Sequence, residues 1–544
     1  MRRWVHAKWW TLALTFTVVA GCSNGGDGTA SSPSVSDSAR PTASATPEKR
    51  GKITVSVYDR GTIAAEEGTA INNRWTKWIN ENGPVDVEFV AVPRNESKQK
   101  FNVLFASGSA PDLIMEFDTN YRNQLIGQKQ LMPIGDLIDK YSVEYKAMLQ
   151  KNPILRKMAT REDGNMYEFG RLNGVRTSLV EYVRKDWLDA LGLDVPKTVD
   201  ELYKVAEAFV KQDPDRNGKD DTLAMDVTFV GGFNLNSMFQ DVGYKVQNGT
   251  IVRTWENKIA RNNFVKKLYD NGLIDKDFLT DKNGEKAKQD FISGKIGFYG
   301  ANGGGNAGGY TVVEALKKNN PKAEIIAIEL PATQLGQFSP AIGNPAQATA
   351  AINANAKDPV AVIKFVDFLV KQSTMMTLNY GLEGVHYKAV PNSCPVILDA
   401  DKKKKELDWN IDMRMLVSTT AFGECGTYKS TLNPNNLFDM GFKKIVEQSD
   451  TAYLNPARPI AEITHPEHMP SLPSDLQLIV TNTSAQMESY YQQALIGGSK
   501  YSVEQSVKDA QAYWEKSGGL KVDQWYADWY AKNKGSAILA KDLY

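Results

Sequence analysis

Cysteine and histidine are nearly missing from this chain: its 544 residues include three of the first and four of the second. Three cysteines cannot build a disulfide framework, and four histidines leave little material for a zinc centre or a histidine-based catalytic machine. Surplus charge of either sign is missing too. Lys and Arg number 64, Asp and Glu number 64, and the formal net charge is +0. Such a chain has no electrostatic footprint for a phosphate backbone, so nucleic acid is not an expected partner. No apolar run reaches the roughly 20 residues that a helix needs to span hydrocarbon. Neither His-Glu-x-x-His nor a Gly-x-x-x-x-Gly-Lys-Ser/Thr phosphate loop occurs. The glycine-rich stretch from Gly300 to Gly309 lacks the spacing and lysine of the latter, and His465-Pro-Glu-His468 offers two histidines without a third ligand. No catalytic constellation stands out, and the chain is not expected to be an enzyme. With 64 acidic residues, a glycosidase carboxylate dyad stays open as the enzymatic alternative.

What is present begins with an address. Arg2, Arg3 and Lys8 precede an apolar run from Trp9 to Ala20, which ends in Val19-Ala20-Gly21-Cys22. A basic flank, a short apolar core and small residues before the end read as a signal peptide, residues 1–21. The tetrapeptide resembles the bacterial lipobox, which makes Cys22 the expected lipidation site. Removing the leader takes three basic side chains and no acidic ones, so +0 becomes −3. Residues 22–50 are rich in Ser, Thr, Ala, Gly and Pro and too poor in large apolar side chains to offset the entropy of ordering. They read as a flexible tether with an r.m.s. reach of roughly 30 Å. The body that follows is expected outside the cytoplasm, held to a membrane by the lipid.

In the body, strands alternate with helices. Ile53–Tyr58, Val85–Val90 and Asp112–Met115 read as strands, with helical stretches near 72–80 and 99–107. That alternation predicts an α/β fold with a parallel sheet, whose ligands sit beyond the carboxyl ends of the strands. Tyr58, Asp59, Glu116, Asp118 and Tyr121 lie there and are candidate ligand contacts, though each residue type is equally at home in an ordinary loop. Thr198-Val-Asp-Glu201 has the spacing of a capping box, followed by the apolar stripe Leu202, Val205, Ala206 and Phe209. Asp358-Pro359 and Ser502-Val-Glu-Gln505 open two further helices. Trp525, Tyr526, Trp529 and Tyr530 form two i, i+4 aromatic pairs, a pattern typical of packing between helices. Asp213-Pro-Asp215-Arg-Asn217-Gly218-Lys219-Asp220-Asp221-Thr222 follows the capped helix. Side-chain oxygens at positions 1, 3 and 5, Gly at 6, a backbone carbonyl at 7 and an acid at 9 match the start of a calcium loop. Position 12 departs, because Ala224 stands where a bidentate Glu is usual. Asp213, Asp215, Asn217, Lys219, Asp221 and Thr222 are the expected ligands of a structural Ca²⁺.

The string Tyr182-Val-Arg-Lys-Asp-Trp187-Leu-Asp-Ala-Leu-Gly-Leu193, the capped helix and the acidic loop together resemble the bacterial extracellular solute-binding proteins, specifically the sugar-binding LipO/LplA-type lipoproteins related to alginate-oligosaccharide binders. Ser107–Ile114, Ser293–Phe298 and Asn379–Tyr387 agree with this, and the resemblance covers about residues 51 to 390. It implies a type II periplasmic-binding-protein-like fold: two discontinuous α/β lobes, a hinge and a ligand cleft. The implied lobes are 51–175 plus 331–390 and 176–330 plus 391–544. It further implies a monomer that captures an oligosaccharide and hands it to the permease subunits of an ABC importer in a Gram-positive membrane. Carried onto this sequence, the cleft would draw on Tyr58, Asp59, Glu116, Asp118, Asn120 and Tyr121, on Tyr299 and Asn302, on His386 and Tyr387, and on Arg171 and Trp187. Gly303-Gly-Gly305 replaces the stacking aromatic of simpler sugar binders. A peptide or other polar solute is the alternative ligand. Cys394 and Cys425 remain available to pair, and oxidising surroundings permit it.

Overall fold

Alternating β-branched residues make Lys52–Asp59 a strand, and in the computed structural model it lies between Asp86–Pro93 and Leu113–Met115, parallel to both. The structure describes residues 50–302, 305–535 and 537–542. The expected leader, Cys22 and the tether up to residue 49 lie outside them. Two further strands complete the first sheet, in the order Asp86–Pro93, Lys52–Asp59, Leu113–Met115, Ala346–Ile352, Glu168–Leu172. Ala346–Ile352 runs against both of its neighbours. Val55, Val57, Ile114, Phe169 and the flanking Trp75, Phe101 and Val366 form one continuous core.

A second sheet is ordered Ile325–Ala327, Leu179–Arg184, Ile296–Asn302, Leu223–Met225. Only Leu179–Arg184 runs against its neighbours. Trp187, Phe209 and Phe298 pack on one side, and Tyr182, Phe291 and Tyr299 on the other. The helix Val199–Lys211 starts at the expected capping box, with Thr198 and Glu201 bonding each other's backbone N–H groups. Asp358 and Ser502 likewise cap Pro359–Val370 and Val503–Lys516. The last three helices, Ser474–Ile496, Val503–Lys516 and Gly519–Asn533, bury Met487, Tyr491, Trp514 and Val522 against Trp255 and Ile259 of the second lobe.

Residues 172–179 lead from the first sheet to the second, and residues 327–346 lead back. These two segments run side by side: Asn173 donates its N–H to Pro345 O at 2.9 Å, and Gly343 donates to Arg176 O at 3.1 Å. Residues beyond 390 contribute to both cores. Leu407, Met413, Leu416, Val417 and Phe422 fill the first core, whereas Phe442, Ile445 and Tyr453 fill the second lobe. Local patterning could not show this, because the intervening 3₁₀ turns carry no strand or helix period. A disulfide joins Cys394 to Cys425 within the first lobe, with Cα atoms 5.2 Å apart. No helix of the described residues is long and apolar enough to cross a membrane.

Candidate functional site

The first-lobe strands end at Asp59, Pro93 and Met115, and an open cavity of about 740 Å³ lies at those ends. Its wall includes Arg60, Arg94, Lys98, Phe117, Asp118 and Gln347, with Glu467 reaching in from the long return segment. Phe117 stacks on Tyr58 with centroids 5.9 Å apart, and the Arg94 guanidinium lies 4.7 Å from the Tyr58 centroid. Tyr58 is buried and its hydroxyl is spent: it donates to Glu116 Oε1 at 2.6 Å and accepts from the Phe117 N–H at 3.1 Å. Burial, with the Glu116 carboxylate beside it, pushes that phenol well above its ordinary value. Glu116 also accepts from the Asp118 N–H at 2.7 Å. These two residues pin the loop.

Below this loop Arg122, fully buried, donates to Glu168 Oε1 at 2.6 Å and to Glu116 O at 2.6 Å. Arg161 binds the other oxygen of Glu168. Burial alone would raise the Glu168 carboxyl, but the two guanidinium groups hold it below the ordinary carboxylate range. Asp118 caps the helix Thr119–Gly127 through the Tyr121 N–H and pairs with Lys98 at 2.7 Å.

A larger cavity of about 1120 Å³ adjoins the first and shares Glu467 with it. On one side stand Arg122, Arg161, Asp163 and Tyr167 of the first lobe, and on the other Trp525 and Trp529 of the final long helix. Of the aromatic pairs read in sequence, Tyr530 is buried, while half-buried Trp525 and Trp529 pack against the core on one side and line this space on the other. Glu467 fixes the crossing strands, accepting from Asn344 Nδ2 at 2.8 Å and from Gln347 Nε2 at 3.3 Å. Neighbouring His468 meets Ala346 O at 2.8 Å.

On the second lobe, Phe229 and Phe233 follow the carboxyl end of Leu223–Met225, 43% and 47% exposed, with centroids 5.6 Å apart. Phe229 has φ +44, a left-handed conformation that a bulky side chain rarely adopts and that tends to mark functional loops. Beneath them Asp226 accepts from the Gly300 N–H at 3.1 Å, and burial raises its carboxyl to about 7. A Cβ at Gly231 would fall 2.2 Å from Asp226 Oδ1, so only glycine lets this helix sit on the acid.

Several expected contacts are core instead. Trp187 lies edge-on to Phe209, Tyr299 stacks on Phe291 at 4.4 Å, and Tyr387 packs near Tyr380. Tyr121 is buried with its hydroxyl on Asn102, and buried His386 bridges the Leu382 N–H and Glu406. Large rings at strand ends and helix faces satisfy the core before they satisfy a ligand. Asp59 is exposed and receives the Gly61 N–H, Asn120 receives the Ser471 hydroxyl at 3.0 Å, and Asn302 is exposed at its strand end. Arg171 lies by Phe117 and donates to Gln347 at 3.0 Å. Not singled out in the sequence were Arg60, Arg94 and Glu467, which line the cavity, and the exposed Phe229 and Phe233. The first two directly follow strands, which was a usable signal.

The acidic loop curls as its spacing predicts. Asn217 and Gly218 donate their N–H groups to Asp213, and Asn217 Nδ2 reaches Asp215 at 2.9 Å and Asp221 at 3.1 Å. Burial and the adjacent Asp213 carboxylate raise the Asp215 carboxyl, a crowding that a cation relieves. The residues therefore fit a hard, oxygen-seeking ion, except that Thr222 turns its hydroxyl away to Phe209 O. Carboxylates alone make no metal cluster among the described residues. The remaining oxygens would have to come from Asn217 and from loop carbonyls.

The family model described as bacterial extracellular solute-binding protein matches residues 65–376. The chain belongs to that family. Its members are binding proteins and not enzymes, and the fold is their two-lobed type II architecture. The polygalacturonan/rhamnogalacturonan-binding protein YtcQ of Bacillus subtilis is 25% identical, covering 85% of this chain and 89% of its own. An HMO binding, ABC-transporter associated solute-binding protein from Bifidobacterium longum infantis has a similar fold, with a TM-score of 0.67 at 20% identity, covering 90% of this chain and all of its own. So does FusA of S. pneumoniae, solved as an EF-hand mutant with fructo-nystose, at a TM-score of 0.61 and 19% identity over 89% of this chain and 100% of its own.

Proposed function

We propose that this solute-binding protein captures an oligosaccharide between its lobes and delivers it to the permease of an ABC importer, anchored outside the cell by a lipid on Cys22. The observation that carries this is the composition of two adjoining cavities, one at the strand ends of the first lobe and one between that lobe and the final long helix. Partly exposed aromatic rings, Phe117, Trp525 and Trp529, stand among guanidinium, carboxylate and amide groups in cavities of about 740 and 1120 Å³. Sugar C–H faces stack on rings while hydroxyls take charge-assisted hydrogen bonds, so the mixture suits a carbohydrate. The volumes suit several residues of it. What YtcQ and the Bifidobacterium protein bind supports the same class. Peptide capture would draw on backbone-pairing edges and terminus-recognising groups, and the wall at Arg60, Arg94 and Phe117 is made of side chains. Closure would turn on the paired segments 172–179 and 339–346, with contacts made by both lobes supplying the driving energy.

We also assign Ca²⁺ to the loop at Asp213, Asp215, Asn217, Lys219 and Asp221. The ion would neutralise the crowded carboxylates and brace the turn between the helix Val199–Lys211 and the strand Leu223–Met225. A thermal-shift screen of neutral and acidic oligosaccharides against peptides tests the function, since ligand bound only to the folded state raises the Tm. Shifts with saccharides and none with peptides are expected. The reverse pattern would overturn the assignment.

A further inference from the structure

Two buried acids of the second sheet meet no cation among the described residues. Glu181 lies on the strand Leu179–Arg184, opposite Gly300 of the next strand. Asp226 follows the strand on the other side of Gly300 and accepts the Gly300 N–H at 3.1 Å. One face of the helix Phe229–Met238 covers both acids. Asn234 donates Nδ2–H to Glu181 Oε2 at 2.7 Å, and Gly231, three residues earlier, sits against Asp226. Residues three apart on a helix are neighbours, so the two carboxyl groups lie about one turn apart. The groups packed around them are negative or neutral. Asp281 and Tyr299 face Asp226, with Glu285 beyond Tyr299, and Tyr453, itself facing Glu329, accepts the Glu181 N–H at 3.0 Å. The Arg261 guanidinium reaches the helix at Gly232, where it answers Asp241 and Glu488 instead. Glu181 Oε1 and Asn234 Oδ1 are both buried without a partner. Both are acceptors while Glu181 is ionised, and one proton on Oε1 satisfies the two at once. An acid and a primary amide then pair through two opposed hydrogen bonds, and the Nδ2–Oε2 bond is the first of them. Burial, and then Asp226, raise the Glu181 carboxyl well above its ordinary value. Asp226 has N–H donors from Gly300 and Gly231, which make it the charged member of the two.

We propose that Glu181 is a neutral carboxylic acid in the folded protein, donating its proton to Asn234 Oδ1, and that this proton is a pH-sensitive latch seating the helix Phe229–Met238. Loss of the proton to solvent puts a second carboxylate under the same helix face and leaves Oε1 and Oδ1 opposed. The exposed Phe229 and Phe233 ride on that helix, so their seating loosens as pH rises. The sign follows from linkage: an acid raised on folding contributes stability that is full below its ordinary 4.5 and is lost as pH rises toward the folded value. The latch does not depend on which solute the protein binds. The test uses the full-length protein with carbon-13-labelled glutamate, as wild type and as Glu181→Gln, whose amide reproduces both bonds of the neutral acid. At pH 7 the infrared spectrum of wild type should hold the carbonyl stretch of a protonated, labelled glutamic acid, and Glu181→Gln should lack it. Hydrogen exchange then reads the helix. Corrected for the intrinsic rate, protection of residues 229–238 should fall by up to about ten-fold per pH unit across neutral pH in wild type, the limit for one linked proton. In Glu181→Gln the same slope should be much flatter. No such band in wild type, or a band that survives in Glu181→Gln, would overturn the proposal. So would a variant slope as steep as that of wild type, or a Glu181→Gln protein that fails to fold at pH 7, because glutamine keeps the pairing the proposal rests on.

Discussion

Replacing Glu168 by Gln removes one charge and almost no volume from the base of the cleft. Arg122, with its side chain 0% exposed, would keep its bonds to Glu116 O and Thr119 Oγ1 and lose its counter-charge. Arg161, 24% exposed, can swing toward water, so the penalty falls mainly on Arg122. Breaking a buried pair from one side costs about 3–5 kcal/mol. For a cooperative unit of lobe size, each kcal/mol is about 2–4 °C, so the Tm should fall by roughly 10 °C. Arg122→Met with Glu168→Leu removes both charges and should cost much less. The pair also sets a pH window. The folded value of Glu168 lies below the ordinary 4.5, so its stabilisation is full above that pH and is lost as pH falls through the folded value. Differential scanning calorimetry of wild type, single and double variants at pH 7 and across the acid limb is the assay. A loss under about 1 kcal/mol for Glu168→Gln, or a double variant as damaged as the single, would refute the reasoning.

Three other outcomes follow from the geometry. Cys394→Ser with Cys425→Ser frees a loop spanning 31 residues and should cost about 3–4 kcal/mol, read as a lower Tm that reductant no longer changes. Burial and nearby His468 draw His465 down to about 4 from 6.5, so the folded state holds it neutral. Stability should be full above pH 6.5 and decline as pH falls toward 4, and His465→Gln should flatten that slope in a Tm-versus-pH series. Chelator should lower the Tm, and saturating Ca²⁺ at about 100-fold its Kd should restore about 2.7 kcal/mol. Asp213→Asn with Asp215→Asn should abolish both responses, and a wild type indifferent to chelator would contradict the calcium assignment.

Much of the frame was legible where a local rule suffices. The capping box at Thr198 and Glu201, the Asp358-Pro359 start and the alternation in Ile53–Tyr58 each act within a few residues, and all three appear as expected. The acidic loop was legible for the same reason. Cleft membership was not, because it depends on which side chains the core claims first. Tyr58 and Glu116 were rightly placed at strand ends, yet they bond each other and brace the loop, while Arg94 covers them. Trp187, Tyr299 and Tyr387 matched the chemistry of a sugar platform and went to the core. Phe229 and Phe233 are exposed instead, on a helix whose close approach to Asp226 at Gly231 no sequence spacing displays.

The central claim, that a saccharide is captured between the lobes, is tested most directly by energy transfer between dyes on Lys77→Cys in the first lobe and Asp270→Cys in the second, followed during saccharide titration. The account predicts a saturable rise in transfer whose midpoint equals the calorimetric Kd, and no change with peptides. A saccharide that binds without altering the transfer, or a rise produced by peptides alone, would contradict it.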